Sequence, residues 1–124
     1  MIRTHKLTVL INQTSRKYVV PRNCFYYISS EDHECYILPI TPECALELIP
    51  ENYTGNIIDG KEYRVGKIGS ADDVWEMNKA ALRCEYCFNK AFIASARKEE
   101  LEELKDYLCD NKDYLNSLKS LFEG

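Results

Sequence analysis

The stretch Ile37-Leu38-Pro39-Ile40-Thr41-Pro42-Glu43-Cys44-Ala45-Leu46-Glu47-Leu48 constrains this chain more than any other. Pro39 and Pro42 bracket Ile40 and Thr41 inside an otherwise apolar run. Each proline lacks a backbone N–H and biases the residue before it towards an extended conformation, so a strand must stop, turn and restart here. Thr41 is placed to cap a single helical turn, with Pro42 at its first position and Glu43 near its positive end, after which Ala45 to Ile49 reads as extended. This is architecture, and none of these groups is set up for chemistry.

Strand signals dominate the N-terminal side of the chain. Leu7 to Ile11 and Tyr18 to Val20 are β-rich runs separated by Gln13-Thr14-Ser15-Arg16, which reads as a hairpin or a loop between paired strands. Cys24 to Ser29 and Cys35 to Ile40 form a second candidate hairpin around Ser30 to Glu34. Asp59-Gly60 marks a two-residue turn between Ile57 and Tyr63. The pattern then becomes helical. Ser70 with Asp73 three positions on resembles a capping box, and Val74, Met77, Ala81, Cys84, Phe88 and Ala91 recur at helical steps, which predicts a helix of about 18 residues. A short extended piece, Phe92 to Ala94, precedes helices over Glu99 to Cys109 and Tyr114 to Phe122. The expected fold class is therefore α+β: one compact domain over 1–124, with an antiparallel sheet of hairpins in 1–69 packed by two or three helices in 70–124.

Length and composition fit one self-sufficient domain. A chain of 124 residues buries about 65–70% of its extended surface on folding, so it needs no disulfide or metal staple. The six cysteines, with no export signal evident, read as reduced core residues, and no apolar run reaches the ~20 residues of a membrane span. The expected location is the cytoplasm. Charge is uneven: Arg3, Lys6, Arg16, Lys17 and Arg22 all precede the first acid, Glu31, although the whole chain carries a net −4. Such a basic segment suits phosphate or nucleic acid, but the simpler reading packs it against the acidic C-terminal helices.

Several groups are candidates for a site. Cys84-Glu85-Tyr86-Cys87 is a CxxC, the spacing of a metal or redox pair, yet it lies more than three turns past the helix start, where the dipole does not activate a thiol. Core packing is its simpler role, and Cys84 and Cys87 are weak metal candidates only. His33, among Glu31, Asp32, Glu34 and Cys35, concentrates potential ligands on a hairpin tip, with His5 the only other histidine. Gly66-Lys67-Ile68-Gly69-Ser70 lacks the spacing of a phosphate loop. Phe25-Tyr26-Tyr27 places Tyr26 on the opposite strand face from its neighbours, and a tyrosine on the open face beside Arg16, Lys17 and Arg22 would suit stacking on a base or an interface. Arg16, Lys17, Arg22, Tyr26 and His33 are thus the candidate ligand-binding residues.

Ile37 to Leu48, the helix carrying Met77-Asn78, and Phe92-Ile93-Ala94-Ser95 before Glu99-Glu100-Leu101 together resemble the C-terminal part of an uncharacterised bacterial and phage family, the domain of unknown function 4238. The resemblance spans about residues 24 to 108 and matches Pro39, Thr41, Pro42 and Asn78 as architecture. It departs from that family in lacking its long helical N-terminal region, and it implies no catalytic residue. The leading expectation is a small non-enzymatic binding protein, a homo-oligomer that captures a protein partner or a small nucleotide-like ligand with no cofactor, as a phage or mobile-element anti-defence factor would. Nucleic acid is a lesser alternative and a membrane is not expected. An enzyme acting on a phosphorylated substrate through His33 with Asp32 or Glu34, and a zinc-stabilised module, are the competing readings.

Overall fold

The computed structural model describes residues 2–29, 34–53, 63–88 and 93–123, with side chains placed for 7–28, 35–49, 65–87 and 93–121. In chain order the elements are strands β1 (Ile2–Asn12), β2 (Val19–Pro21), β3 (Tyr26–Ser29), β4 (Glu34–Thr41), β5 (Cys44–Tyr53) and β6 (Tyr63–Ile68), helix α1 (Ala71–Phe88), strand β7 (Ile93–Ser95), and helices α2 (Lys98–Asp110) and α3 (Lys112–Glu123). The architecture is α+β. A five-stranded sheet runs β3-β4-β5-β1-β6, antiparallel throughout except for the parallel β1–β6 pair. A separate two-stranded sheet joins β2 to β7.

The proline-bracketed stretch becomes the β4–β5 hairpin. The expected helical turn at Thr41 does not form: Thr41 pairs with Cys44, and Pro42-Glu43 make a tight two-residue turn. The Thr41 hydroxyl still serves this turn, accepting the Glu43 N–H at 3.3 Å. Pairing slips between Pro39 and Thr41, as a missing proline donor in a ladder requires. The β3–β4 hairpin forms as expected, with Tyr26 opposite Ile37 and Ile28 opposite Cys35. Val19 and Val20, expected beside the first strand, instead pair with Ser95 and Ala94 of β7. The Asp59-Gly60 turn lies outside the described residues.

One face of the five-stranded sheet is built to receive α1. Side chains alternate along each strand, so Tyr26, Ile37, Ala45, Leu10 and Ile68 point to the same side. They meet Val74, Met77, Ala80 and Ala81 of α1 in the hydrophobic core. Small residues line the middle of this face: Ala45 is fully buried, and a Cβ on Gly66 would come within 3.2 Å of Leu10 Cδ2. α2 and α3 close the helical layer through Leu104 and Leu115, both buried. Among the described residues, no helix is long and apolar enough to cross a membrane.

Candidate interaction face

Two basic residues of the N-terminal segment, Arg16 and Lys17, are held by acidic partners within the fold. After β1, Asn12 shapes the loop to β2: its Oδ1 accepts the Thr14 N–H at 2.9 Å and the Thr14 hydroxyl at 2.7 Å, and its Nδ2 donates to the Arg16 carbonyl. Arg16 is thereby aimed at α2. Its Nη1 lies 3.1 Å from Glu100 Oε2 and 2.6 Å from Glu103 Oε2, and its guanidinium sits 4.6 Å from the centre of the Trp75 ring. Burial works against the Arg16 charge, but Glu103 and Glu100 outweigh it and raise the pKa above the usual arginine value.

Glu100 is the hub of this clamp. Fully buried, it accepts hydrogen bonds from Arg97 Nη1 (2.7 Å), Arg16 Nη1 (3.1 Å), Asn78 Nδ2 (3.1 Å) and the Lys17 N–H (3.3 Å). Asn78 is equally buried, and it also donates to the Lys17 carbonyl and accepts from the Val19 N–H. A buried carboxylate with four donors is a satisfied structural joint. It ties the β1–β2 loop to α1 and α2.

The candidate binding residues are not brought together. Lys17 pairs with Glu43 at 2.8 Å, Arg22 is exposed beyond β2, and His33 lies outside the described residues, as does the His5 side chain. Tyr26 is corrected from candidate to core: it is 2% exposed on the helix side, and burial, then Tyr18 and two nearby cysteines, push its phenol far above the usual range. The cysteines are also only partly core residues. Cys35 is buried, but Cys24 and Cys109 are exposed. The CxxC thiols are both raised above their ordinary pKa, chiefly by burial, which disfavours the thiolate that metal binding or nucleophilic attack needs. Among the described residues, no group of three or more His, Cys, Asp or Glu side chains is placed to hold a metal ion.

What the structure does present is the other face of the five-stranded sheet. By the same register, its middle rung is Leu38, Leu46, Val9 and Val65 across β4, β5, β1 and β6. The rung towards one end is Tyr27, Tyr36, Leu48 and Leu7, and towards the other Cys44, Ile11 and Lys67 follow. Ile40 and Phe25 extend the surface, with the Phe25 and Tyr36 rings 6.4 Å apart. None of the apolar residues on this outer face belongs to the core shared with the helices. Ile40, Val65 and Phe25 are 58%, 54% and 48% exposed. Lys67, on the edge strand, is the only charged residue in these rungs. The covered face, by contrast, carries Thr8 and Glu47 opposite Ile37.

Strand-forming runs in the sequence announced this surface only indirectly. Leu7, Val9 and Ile11 alternate with Lys6, Thr8 and Leu10, a pattern that marks the odd positions for burial. The fold turns those positions away from the helices. No family model matches the chain, and no curated protein or solved structure matches it.

Proposed function

We propose that this chain is a non-enzymatic binding module that holds a protein partner through the outer face of its five-stranded sheet. The observation that carries the reading is a continuous apolar surface over four strands, without a helix of the described chain layered on it. A side that alternates as a buried face and is left uncovered marks an interaction surface. Capture of a nucleotide-like ligand has less support: of the candidate basic residues, Arg16 and Lys17 are held by Glu100, Glu103 and Glu43, and Arg22 lies exposed beyond β2. Among the described side chains, the outer rungs offer a phosphate only Lys67 at one corner.

Carbene footprinting of the folded protein at high dilution tests this reading. Labelling of Val65 close to that of exposed Leu121, and of partly exposed Val9 and Leu46 clearly above that of buried Leu104 and Leu115, is the expected result. Protection of all three at high dilution would mean that the chain covers its own face, and the reading would fall.

A further inference from the structure

Building on that reading, we infer that the partner is a second copy of this chain, apposed outer face to outer face about a two-fold axis lying in the plane between the sheets. An isologous contact brings the same patch together twice, so it tolerates no charge that meets its own equivalent. This face satisfies that condition. Lys67 occupies a corner, on the edge strand β6 and the end rung, and an in-plane two-fold running along or across the strands carries its equivalent to a different corner. Leu46 sits on the central strand and the middle rung, beside the axis, where it meets its own copy.

Size and shape agree. With strands about 4.8 Å apart and same-face residues about 6.7 Å apart, the eleven rung positions with Phe25 and Ile40 cover roughly 420 Å² in projection. Two such faces with their rims bury on the order of 1,000 Å², the lower bound for a specific interface, and a contact of that size associates weakly. A charged partner would find almost no counter-charge here, whereas an identical twisted sheet matches this one in width and hand and packs at the ordinary ~10 Å separation of stacked sheets. The dominance of Leu, Ile and Val over charged groups also suits a homodimer contact, which is more apolar than other interfaces.

The test is sedimentation velocity of the full chain, in reductant because Cys24 and Cys109 are exposed, over about 1 to 300 μM, where such a contact should form. The parent should pass from 14.4 kDa to twice that mass within the series. Leu46→Asp should weaken association by ~10-fold or more, as loss of a central anchor does. Should Leu46→Asp not fold, Val65→Asp on the half-exposed edge strand gives the same readout, with circular dichroism confirming the fold of each variant. Footprinting across the same series should show Val9 and Leu46 becoming protected as concentration rises. A parent that stays monomeric, or a dimer unaffected by Val65→Asp, overturns the inference. In that event, outer-face labelling at every concentration leaves the binding-module reading standing with a different partner, and protection even at high dilution removes both.

Discussion

The two faces of one sheet differ in the opposite sense from the one burial leads us to expect. The covered face is the more polar, carrying Thr8, Glu47 and a centre of small residues, Ala45 and Gly66. The open face is paved with Leu, Val, Ile and Tyr. On the covered side, a modest apolar area packs tightly with α1 and the buried Tyr18 in one core. The polar joint around Glu100 then fixes the helices and the β1–β2 loop in register. On the open side, none of the described large apolar side chains joins the core shared with the helices. Cohesion of the monomer is thus concentrated on the helical side, and the outer face holds apolar surface in reserve.

The sharpest way to break this comparison is at Glu100. Glu100→Ala leaves Arg16, Arg97 and Asn78 without their shared acceptor and should cost about 3–5 kcal/mol, the range for losing one partner of a buried ion pair. Chemical denaturation of the variant against the parent measures it, and a loss below about 1 kcal/mol would show that the clamp does not hold the helical side.

Alkaline titration probes the same side without mutation. Burial raises the Tyr18 phenol to about 12, and its hydroxyl donates to the Leu10 carbonyl at 3.2 Å. Because the folded pKa lies above the unfolded value near 10, stability is fully present below pH ~10 and declines as pH rises towards 12. Midpoints measured at pH 9 and pH 11 should fall in that order, and a Tyr18→Phe variant should lose part of the dependence.

Adjacent residues sharpen the contrast further. Ala45→Leu crowds the helical side and should cost about 1–3 kcal/mol, while Leu46→Ser, one position on, should cost the dilute monomer less. Equal losses at micromolar dilution would erase the distinction between the faces. Glu85 is an internal exception on α1: it is buried, and its Oε2 lacks a hydrogen-bond partner among the described residues. Glu85→Met should raise stability by about 1–2 kcal/mol, read as a higher thermal midpoint. The smallest effect belongs to Cys24, which sits at φ 66° in the turn closed by its N–H to the Pro21 carbonyl. Cys24→Gly relieves that conformation and should stabilise by about 0.5–1 kcal/mol in the same melts.

Local signals in the chain were legible where local physics decides. The β3–β4 hairpin, α1 of 18 residues and the two terminal helices follow from periodicity and turn residues. The β4–β5 turn was placed correctly but read as helical, because Thr41 and Pro42 suit a helix start as well as a tight turn. Pairing of β2 with β7 and of β1 with β6 joins residues far apart in sequence, and no local pattern encodes such partners. The uneven charge was visible, yet only the fold shows that Arg16 meets Glu100 and Glu103. Least legible was the choice of face. Alternation along β1 marks Leu7, Val9 and Ile11 as the apolar side, but no local pattern states that the helices pack on the other one.

The position of β1 also sets an order of events during synthesis. This strand occupies residues 2–12, but its neighbours β5 and β6 end at residues 53 and 68. β1 must therefore stay unpaired until β5 is made, and it keeps one backbone edge open until β6 follows, when more than half of these 124 residues have been synthesised. Only the β3–β4 and β4–β5 hairpins can close earlier from neighbouring sequence. Nascent chains halted before residue 63 would present an apolar strand with at most one partner. A pause in translation upstream of β6 would favour aggregation, whereas the same pause after α1 would not.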